Sequence, residues 1–243
     1  MIDEATLVRR HIADLANKRD KCGYTQFSKF LSLPHQQIVG ITDFALWGGF
    51  EDAERKMAAF YPDWQEISEI EWPIAFVKIC LTDKKTRSHR DFLGSLLGLG
   101  IKRELLGDII ISDSTAFVAT TPEIARYICD NLVSVSHSHV QCEIAEITED
   151  DIPEKQFEAR RTTLASLRID CVTAYLTGKS RAVAAQFITS GKVQINYKEI
   201  TNVSQNVSAG DIISIRGAGK FVFDGEDGTS KKGRLIAMFR KYI

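Results

Sequence analysis

The hydrophobic pattern between Leu167 and Phe223 changes its period, and this change constrains the fold more than any other feature. In the first part of the stretch, apolar residues recur at helical spacing. Gly178, a residue type favoured just after a helix, divides this part into two short helices. Ser180 is a strong N-cap, so Arg181 falls in the first turn of the second helix.

The second part of the stretch alternates apolar and polar residues, which is typical of a strand with one buried face. The alternation runs over 192–198, and an apolar run at 212–215 follows turn residues at 209–211. A glycine-containing loop at 217–220 leads to a further strand at 221–223. We therefore predict two short helices packed against a small sheet, an α+β arrangement.

Basic residues are concentrated in this stretch at positions that suit a phosphate group. A helix N-terminus exposes free backbone N–H groups and a partial positive charge, so it favours phosphate. Cations on the two helices and the sheet would together form a compact surface that contacts a nucleic-acid backbone. These cations are Lys179, Arg181, Lys192, Lys198, Arg216 and Lys220.

The charge is distributed unevenly along the chain, although the total is only −1. Residues 1–65 carry 8 Lys and Arg against 9 Asp and Glu, and residues 66–150 carry 8 against 14. Residues 151–243 carry 15 against 9, a net charge of +6. Because the local field matters more than the total charge, a polyanion partner for the last third is one interpretation. A chance fluctuation of charge along the chain explains the asymmetry equally well.

The middle of the chain, residues 65–150, reads as β-α-β-β-α-β, the split ferredoxin-like order. RNA-recognition motifs share this topology, but the aromatic run that stacks RNA bases in those motifs is missing. The topology alone therefore does not define a function. The predicted strands are 74–81, 108–111, 115–120 and 139–147, and the predicted helices are 88–97 and 122–132.

The first part of the chain, residues 1–64, reads as helical. A first helix is predicted up to Cys22, a short second helix at 27–31, and a third at 51–60 after a pair of glycines. Residues 149–154 are charged and contain a proline, which is typical of a linker.

Composition excludes several classes of protein. An acidic N-terminus and the lack of an uninterrupted apolar run of membrane-spanning length predict a cytoplasmic protein without membrane insertion. His137, His139 and Cys142 lack a fourth ligand, so we predict no metal site and no cofactor. The cysteines form an odd set without a C-x-x-C pair, which argues against a disulfide framework. They are Cys22, Cys80, Cys129, Cys142 and Cys171.

The C-terminal stretch resembles a known family. Its pattern R-I-D…G-K-S-R-x-x-A…I-x-x-G-x-V-x-I-N…G-D-x-I-x-I-R-G, which begins at Arg168, is similar to the S4 RNA-binding domain. Two further motifs, G-G-F-x-D-A-E-R (48–55) and G-L-G-I-K-R-E-x-L-G-D-I (98–109), resemble the bacterial YlmH family, as does the ending K-K-G-R…K-Y-I. The asparagine–glycine usual after the S4 strand is Asn196–Tyr197 here.

This resemblance covers essentially the whole chain and implies three domains. They are an N-terminal helical region at 1–64, an RRM-like domain at 65–150, and an S4 (αL-type) domain at 151–243 with a C-terminal strand extension. The resemblance also implies binding to the large ribosomal subunit and a role in the rescue of stalled ribosomes that carry peptidyl-tRNA.

The expected RNA-binding set combines the six cations with three residues of the S4 motif, Arg168, Ser180 and Asn196. In the middle domain, Arg90, Lys102 and Arg103 would form a second RNA surface. The net charge of −6 there makes a protein-facing or structural role equally plausible.

We therefore expect a non-catalytic protein that binds structured rRNA or tRNA on the ribosome. One alternative is a cell-division adaptor that binds proteins through the acidic middle domain, because YlmH proteins are often encoded beside cell-division genes. A weaker alternative is an RNA-modifying enzyme. Against it, the glycine-rich residues 94–100 lie at the end of a predicted helix rather than after a strand, and we find no catalytic residues.

Overall fold

The computed structural model describes residues 4–37, 39, 44–83, 85–153 and 156–243. The fold is a mixture of helices and three antiparallel sheets, as the α+β prediction required. The chain divides into two compact units, Met1–Pro153 and Glu154–Ile243. The division into three domains stays a prediction.

The first unit begins with a long helix, α1 (Glu4–Cys22), whose Ile12 and Ala16 are buried. Three short strands form the first sheet, in the order β1-β3-β2, and a one-turn helix lies between the first two along the chain. These elements are β1 (Gln26–Phe27), α2 (Leu33–Gln36), β2 (Phe44–Trp47) and β3 (Met57–Phe60).

The helical prediction for this region is correct for α1 and wrong for 27–31 and 51–60, which contribute to strands and turns instead. All four residues of β3 are buried, so the strand has no polar face and its period of two is invisible in the sequence. The turn before β3 needs Gly48, since a Cβ there would lie 2.4 Å from the Cβ of Ala53. Glycine therefore marks a close packing contact here rather than the start of a helix.

The middle of the first unit contains every predicted element, in the order strand, helix, strand, strand, helix, strand, with one extra short strand before the last. The sheet order is β5-β6-β4-β8-β7. The elements are β4 (Ala75–Leu81), α3 (His89–Gly98), β5 (Leu106–Ser112), β6 (Thr115–Thr120), α4 (Pro122–Asn131), β7 (Ser134–Val135) and β8 (Ser138–Ala145).

The two faces of this five-stranded sheet are covered by different parts of the first unit. On one face, Val77 of β4 packs with residues of α3 and α4. On the other face, Phe76 and Phe117 pack against Phe30 and Met57, which belong to the N-terminal part of the unit. The N-terminal strands and the middle sheet therefore share a core.

The second unit has a six-stranded sheet in the order β11-β10-β12-β13-β14-β9, packed with two short helices around one apolar core. Its elements are β9 (Phe157–Leu164), α5 (Ile169–Thr177), α6 (Arg181–Thr189), β10 (Val193–Ile195), β11 (Lys198–Glu199), β12 (Ile212–Ile215), β13 (Gly219–Thr229) and β14 (Leu235–Tyr242). Both helices and the strand at 212–215 lie where the sequence pattern predicts them.

The predicted strand at 192–198 is wrong in one respect, because the chain reverses at Asn196 and Tyr197. Both residues have positive φ, 49° and 64°, which is the geometry of a tight two-residue hairpin. The alternation continues through the turn only by coincidence of residue type. The edge strand β9 was not predicted, because its exposed positions carry charges rather than a regular apolar face.

Within the described ranges, every helix is too short or too polar to cross a membrane.

Candidate nucleic-acid interface

A buried carboxylate, Asp170 at the start of α5, organises two arginines on the surface of the second unit. Asp170 is 6% exposed, and its Oδ2 accepts hydrogen bonds from Arg168 Nη2 at 3.1 Å and Arg181 Nη2 at 2.6 Å. Its Oδ1 accepts from the backbone N–H of Cys171 at 2.9 Å. The guanidinium groups remain accessible, since the side chains of Arg168 and Arg181 are 39% and 57% exposed.

The electrostatics of this cluster favour the charged forms of Asp170 and Arg181. Burial raises the pKa of Asp170, but the hydrogen bonds from Arg181 and Arg168 outweigh it, and the pKa lies below its ordinary value. The hydrogen bond to Asp170 in turn raises the pKa of Arg181. Asp170 therefore fixes two exposed arginines in place without exposing its own charge.

The N-terminus of α6 lies in the same part of the chain. Gly178 ends α5 in the left-handed region with φ at 66°. The predicted cap is present, because Ser180 Oγ accepts a hydrogen bond from the backbone N–H of Val183 at 3.3 Å. Lys179 is exposed immediately before the cap. Its charge and the helix dipole both favour an anion at this end of α6.

Three other predicted cations line an open depression on the sheet, at β10, β12 and the start of β13. They are Lys192, Arg216 and Lys220. The Nζ of Lys192 lies 5.2 Å from the ring centre of Phe187, and the Nζ of Lys220 lies between the rings of Tyr197 and Tyr242, at 4.9 and 4.8 Å. Contact with aromatic rings favours the position of a cation at such a surface.

The remaining two predicted residues differ in their surroundings. Lys198 is exposed on the edge strand β11. The side-chain amide of Asn196 donates to Asp211 Oδ1 at 2.8 Å and accepts from the backbone N–H of Ile212 at 2.9 Å. Asn196 thus holds the hairpin turn against β12, and its contact with RNA stays a prediction.

The middle sheet does not offer the surface by which RNA-recognition motifs stack bases. That surface is the sheet face opposite the helices. Here the corresponding face carries Phe76 and Phe117, which are buried against Phe30 and Met57. A base therefore has no access to the aromatic side chains in the middle of this face.

The proposed second RNA surface is divided between two depressions. Arg90 lines one beside α3, and Lys102 and Arg103 line another beside α1. Arg103 is partly buried, and its Nη1 donates to the carbonyl oxygens of Leu106 at 2.7 Å and Gly107 at 3.0 Å. Arg103 therefore uses part of its guanidinium within the first unit, and a common RNA surface of the three residues stays a prediction.

Sequence reasoning missed a polar network centred on Asp108 and Arg55. The carboxylate of Asp108 accepts hydrogen bonds from the backbone N–H groups of Glu54 at 2.5 Å and Arg55 at 3.1 Å. The guanidinium of Arg55 donates to the carbonyl oxygens of Leu106 and Phe30, both at 2.9 Å. Arg55 ends one family-like motif and Asp108 lies near the end of the other. Their occurrence in these two motifs was the available signal.

The structure also bears on the candidate metal ligands His137, His139 and Cys142. In the described parts of the chain, no three His, Cys, Asp or Glu side chains are arranged to hold a metal ion. Burial raises the pKa of the Cys142 thiol to about 12, so the thiol is protonated at neutral pH.

The fold and the basic surface of the second unit define the class of protein. The family model for the S4 domain matches residues 169–213, which include α5, α6 and the first strands of the sheet. This is a protein with an S4 RNA-binding domain. A second family model, described as "Putative RNA-binding domain in YlmH", matches residues 65–149.

A curated relative identifies the family. The chain is 30% identical over 216 residues to the Bacillus subtilis (strain 168) protein named "Ribosome-associated protein quality control protein P2". The match covers 86% of this chain and 84% of the relative. The chain therefore belongs to the YlmH family.

A solved structure, "Cell division protein ylmH from Streptococcus pneumoniae", has a similar fold. The TM-score is 0.54 and the identity is 19%, and the match covers 63% of this chain and 97% of that chain. At this identity the likeness concerns the fold alone.

Proposed function

We propose that this protein is a non-catalytic factor that binds structured rRNA or tRNA on the large ribosomal subunit and acts in the quality control of stalled ribosomes. The observation that carries the proposal is the arrangement of Arg168 and Arg181 around the buried Asp170. Two exposed guanidiniums fixed in this way lose little conformational freedom when they contact phosphates. The name of the B. subtilis relative supports the ribosome as the place of action.

The second cluster of cations extends this proposed interface. Lys192, Arg216 and Lys220 line one depression, and both lysines contact aromatic rings. Structured RNA is recognised mainly through phosphates and shape, which a set of fixed cations on a rigid sheet suits. We propose that both clusters contact phosphate groups, and that Lys198 contributes from the sheet edge.

The test is co-sedimentation of the full chain with large ribosomal subunits. Lys179→Ala combined with Arg181→Ala should abolish co-sedimentation at moderate salt, and binding of the unaltered chain should weaken steeply as salt rises. A matched control is Lys231→Ala combined with Lys232→Ala, which removes the same charge from exposed residues outside the interface. Equal losses in the two double variants would show that only total charge matters and would contradict the proposed interface.

The cell-division alternative predicts a different result in the same experiment. An adaptor that works through protein contacts would not sediment with ribosomal subunits, even at low salt. Its binding to protein partners would also resist an increase in salt, because apolar contacts are not screened.

If the chain does sediment with large subunits, crosslinking of the ribosome-bound chain identifies whether the contacted RNA is rRNA or tRNA.

A further inference from the structure

A cavity of about 590 Å³ in the first unit carries an excess of basic side chains that the proposed RNA interface does not use. It lies between α1, the segment before α2 and the turn at 102–104. Its volume falls within the range of small-ligand sites. Among its lining residues only Glu104 is acidic, and six are basic or can become so. These six are His11, Lys29, His35, Arg55, Lys102 and Arg103.

The two arginines of this cavity are held by carbonyl groups rather than by carboxylates. Arg55 donates to Phe30 and Leu106, and Arg103 donates to Leu106 and Gly107. In the described ranges no carboxylate oxygen lies within 4.0 Å of either guanidinium. The nearby Asp108 uses its oxygens on backbone N–H groups.

Two guanidiniums that share a carbonyl oxygen are close enough to repel each other. Burial and, next, the charge of Arg103 lower the pKa of Arg55 to about 10. The charge of Asp108 opposes the effect of burial on the pKa of both arginines, but Asp108 does not line the cavity, where basic side chains remain in excess. The cavity therefore favours an anion, and phosphate is the anion whose geometry two arginines match best.

The other side of the cavity is apolar. Leu7 and Val8 of α1 line it, and the floor includes the buried Phe30 and Leu31. Leu7 is 52% exposed, an unusual state for a leucine next to a buried cluster. A ligand that fits both sides has phosphate at one end and a flat, weakly polar group at the other.

We propose that this cavity binds a nucleotide, with its phosphates near Arg55, Lys102 and Arg103 and its base against Leu7 and Val8. The nucleotide is either free or part of an RNA strand, and the chemistry of recognition is the same. This inference does not depend on the ribosome binding proposed above.

The first experiment is calorimetric titration of the full chain with ADP, inorganic pyrophosphate and adenosine at low salt. ADP should bind more tightly than either of its parts. Lys102→Glu should weaken ADP binding by about tenfold or more, because it reverses an exposed charge at the cavity. Lys85→Glu changes the net charge equally but lies outside the cavity, and it should leave ADP binding within about twofold.

The apolar half of the site has its own variant, Leu7→Gln, which is tolerated by the fold because Leu7 is half exposed. This variant should weaken the binding of ADP and leave the binding of pyrophosphate unchanged. If ADP and pyrophosphate bind with equal affinity, and Leu7→Gln changes neither affinity, the site is an anion site and the nucleotide assignment is wrong.

The second arm uses a short single-stranded RNA on the chain that carries Lys179→Ala and Arg181→Ala, so that the interface of the second unit is weakened. A crosslink to residues 7–35 that disappears in Lys102→Glu identifies a nucleotide within a strand. If neither ADP nor RNA reaches the cavity, or if Lys85→Glu acts like Lys102→Glu, the proposal is overturned.

Discussion

Each unit of the molecule places arginines near an aspartate, buried in the second unit and half-buried in the first, and the two arrangements have different consequences. In the second unit, Asp170 accepts hydrogen bonds from the guanidiniums of Arg168 and Arg181, whose other faces stay exposed. In the first unit, Asp108 accepts hydrogen bonds from backbone N–H groups, and the guanidinium of Arg55 donates to carbonyl oxygens. The arrangement in the second unit presents positive charge at the surface, and the arrangement in the first unit connects segments that are distant in the sequence.

The difference shows why residue type alone does not identify a nucleic-acid surface. An arginine that donates to carbonyl groups in the interior has fewer N–H groups left for phosphate. An arginine fixed from one side by a carboxylate keeps the other side free of protein partners. Accordingly, the Nη1 group of Arg103, in the region where the sequence predicted an RNA contact, already donates to the carbonyl oxygens of Leu106 and Gly107.

The largest effect is expected for Asp108→Ala. The substitution leaves two backbone N–H groups without an acceptor and removes a negative charge that favours the charged form of Arg55, so the free energy of unfolding should fall by about 4 kcal/mol. Because burial raises the pKa of Asp108, its ionised form is less favourable in the folded state than in water, and Asp108→Asn should cost about half as much.

Tryptophan fluorescence during urea unfolding measures this effect, since Trp47, Trp64 and Trp72 all belong to the first unit. Equal stability of Asp108→Ala and the unaltered chain would contradict the structural role given to Asp108 in the first unit.

The next effect is that of Asp170→Asn on the second unit. The free energy of unfolding should fall by about 2 kcal/mol at neutral pH, because the hydrogen bonds to Arg168 and Arg181 lose their ionic character. The folded pKa of Asp170 is lowered, so the stabilisation is present above the ordinary Asp range and is lost as the pH falls through the folded value.

The difference between Asp170→Asn and the unaltered chain should therefore shrink in acid. Hydrogen exchange of α5 and α6 in urea at neutral and acidic pH measures it. Asp227→Asn, which disrupts the exposed pair with Arg161, is the control and should change little. A difference that does not depend on pH would show that Asp170 acts by shape alone.

A smaller effect, on binding alone, is expected for Arg216→Gln. If Arg216 contacts one phosphate, the slope of log K against log salt should decrease by about 1 for RNA binding. The unfolding transition should not move, because the Arg216 side chain is exposed and has no hydrogen bond among the described residues.

Salt titration of the full chain on large ribosomal subunits measures the slope, and Arg234→Gln, an exposed arginine outside the depression, is the matched control. The same slope for both variants would remove Arg216 from the interface.

The smallest effect is expected for Tyr197→Gly. Glycine relieves the cost of the left-handed backbone at φ 64°, about 1 kcal/mol, and the loss of the ring contact to Lys220 offsets a similar amount. The free energy of unfolding of the second unit should therefore change by less than about 1 kcal/mol. Hydrogen exchange of β10 and β12 checks this result, and a loss above about 2 kcal/mol would mean that the tyrosine itself holds the hairpin.

The sequence predicted elements best where one face of a helix or strand is buried. In α5 and α6 the apolar residues recur at the period of the helix, and caps such as Ser180 mark the ends. It failed for β3, which is buried on all sides, and for the turn at Asn196–Tyr197, where residue types mimic a continuing strand. The periodic signal is local, and it disappears where burial is complete.

The sequence by itself determined the S4 domain, the family, the mixture of helices and sheets, and the set of basic residues in the last third of the chain. Only the tertiary structure decided which of those charges are held by carboxylates or aromatic rings, which arginines of the first unit donate to the backbone, and which sheet face is covered by the N-terminal strands. The reason is physical: an element's period reflects its own amphipathic faces, whereas the partner of a side chain depends on residues that are distant in the sequence.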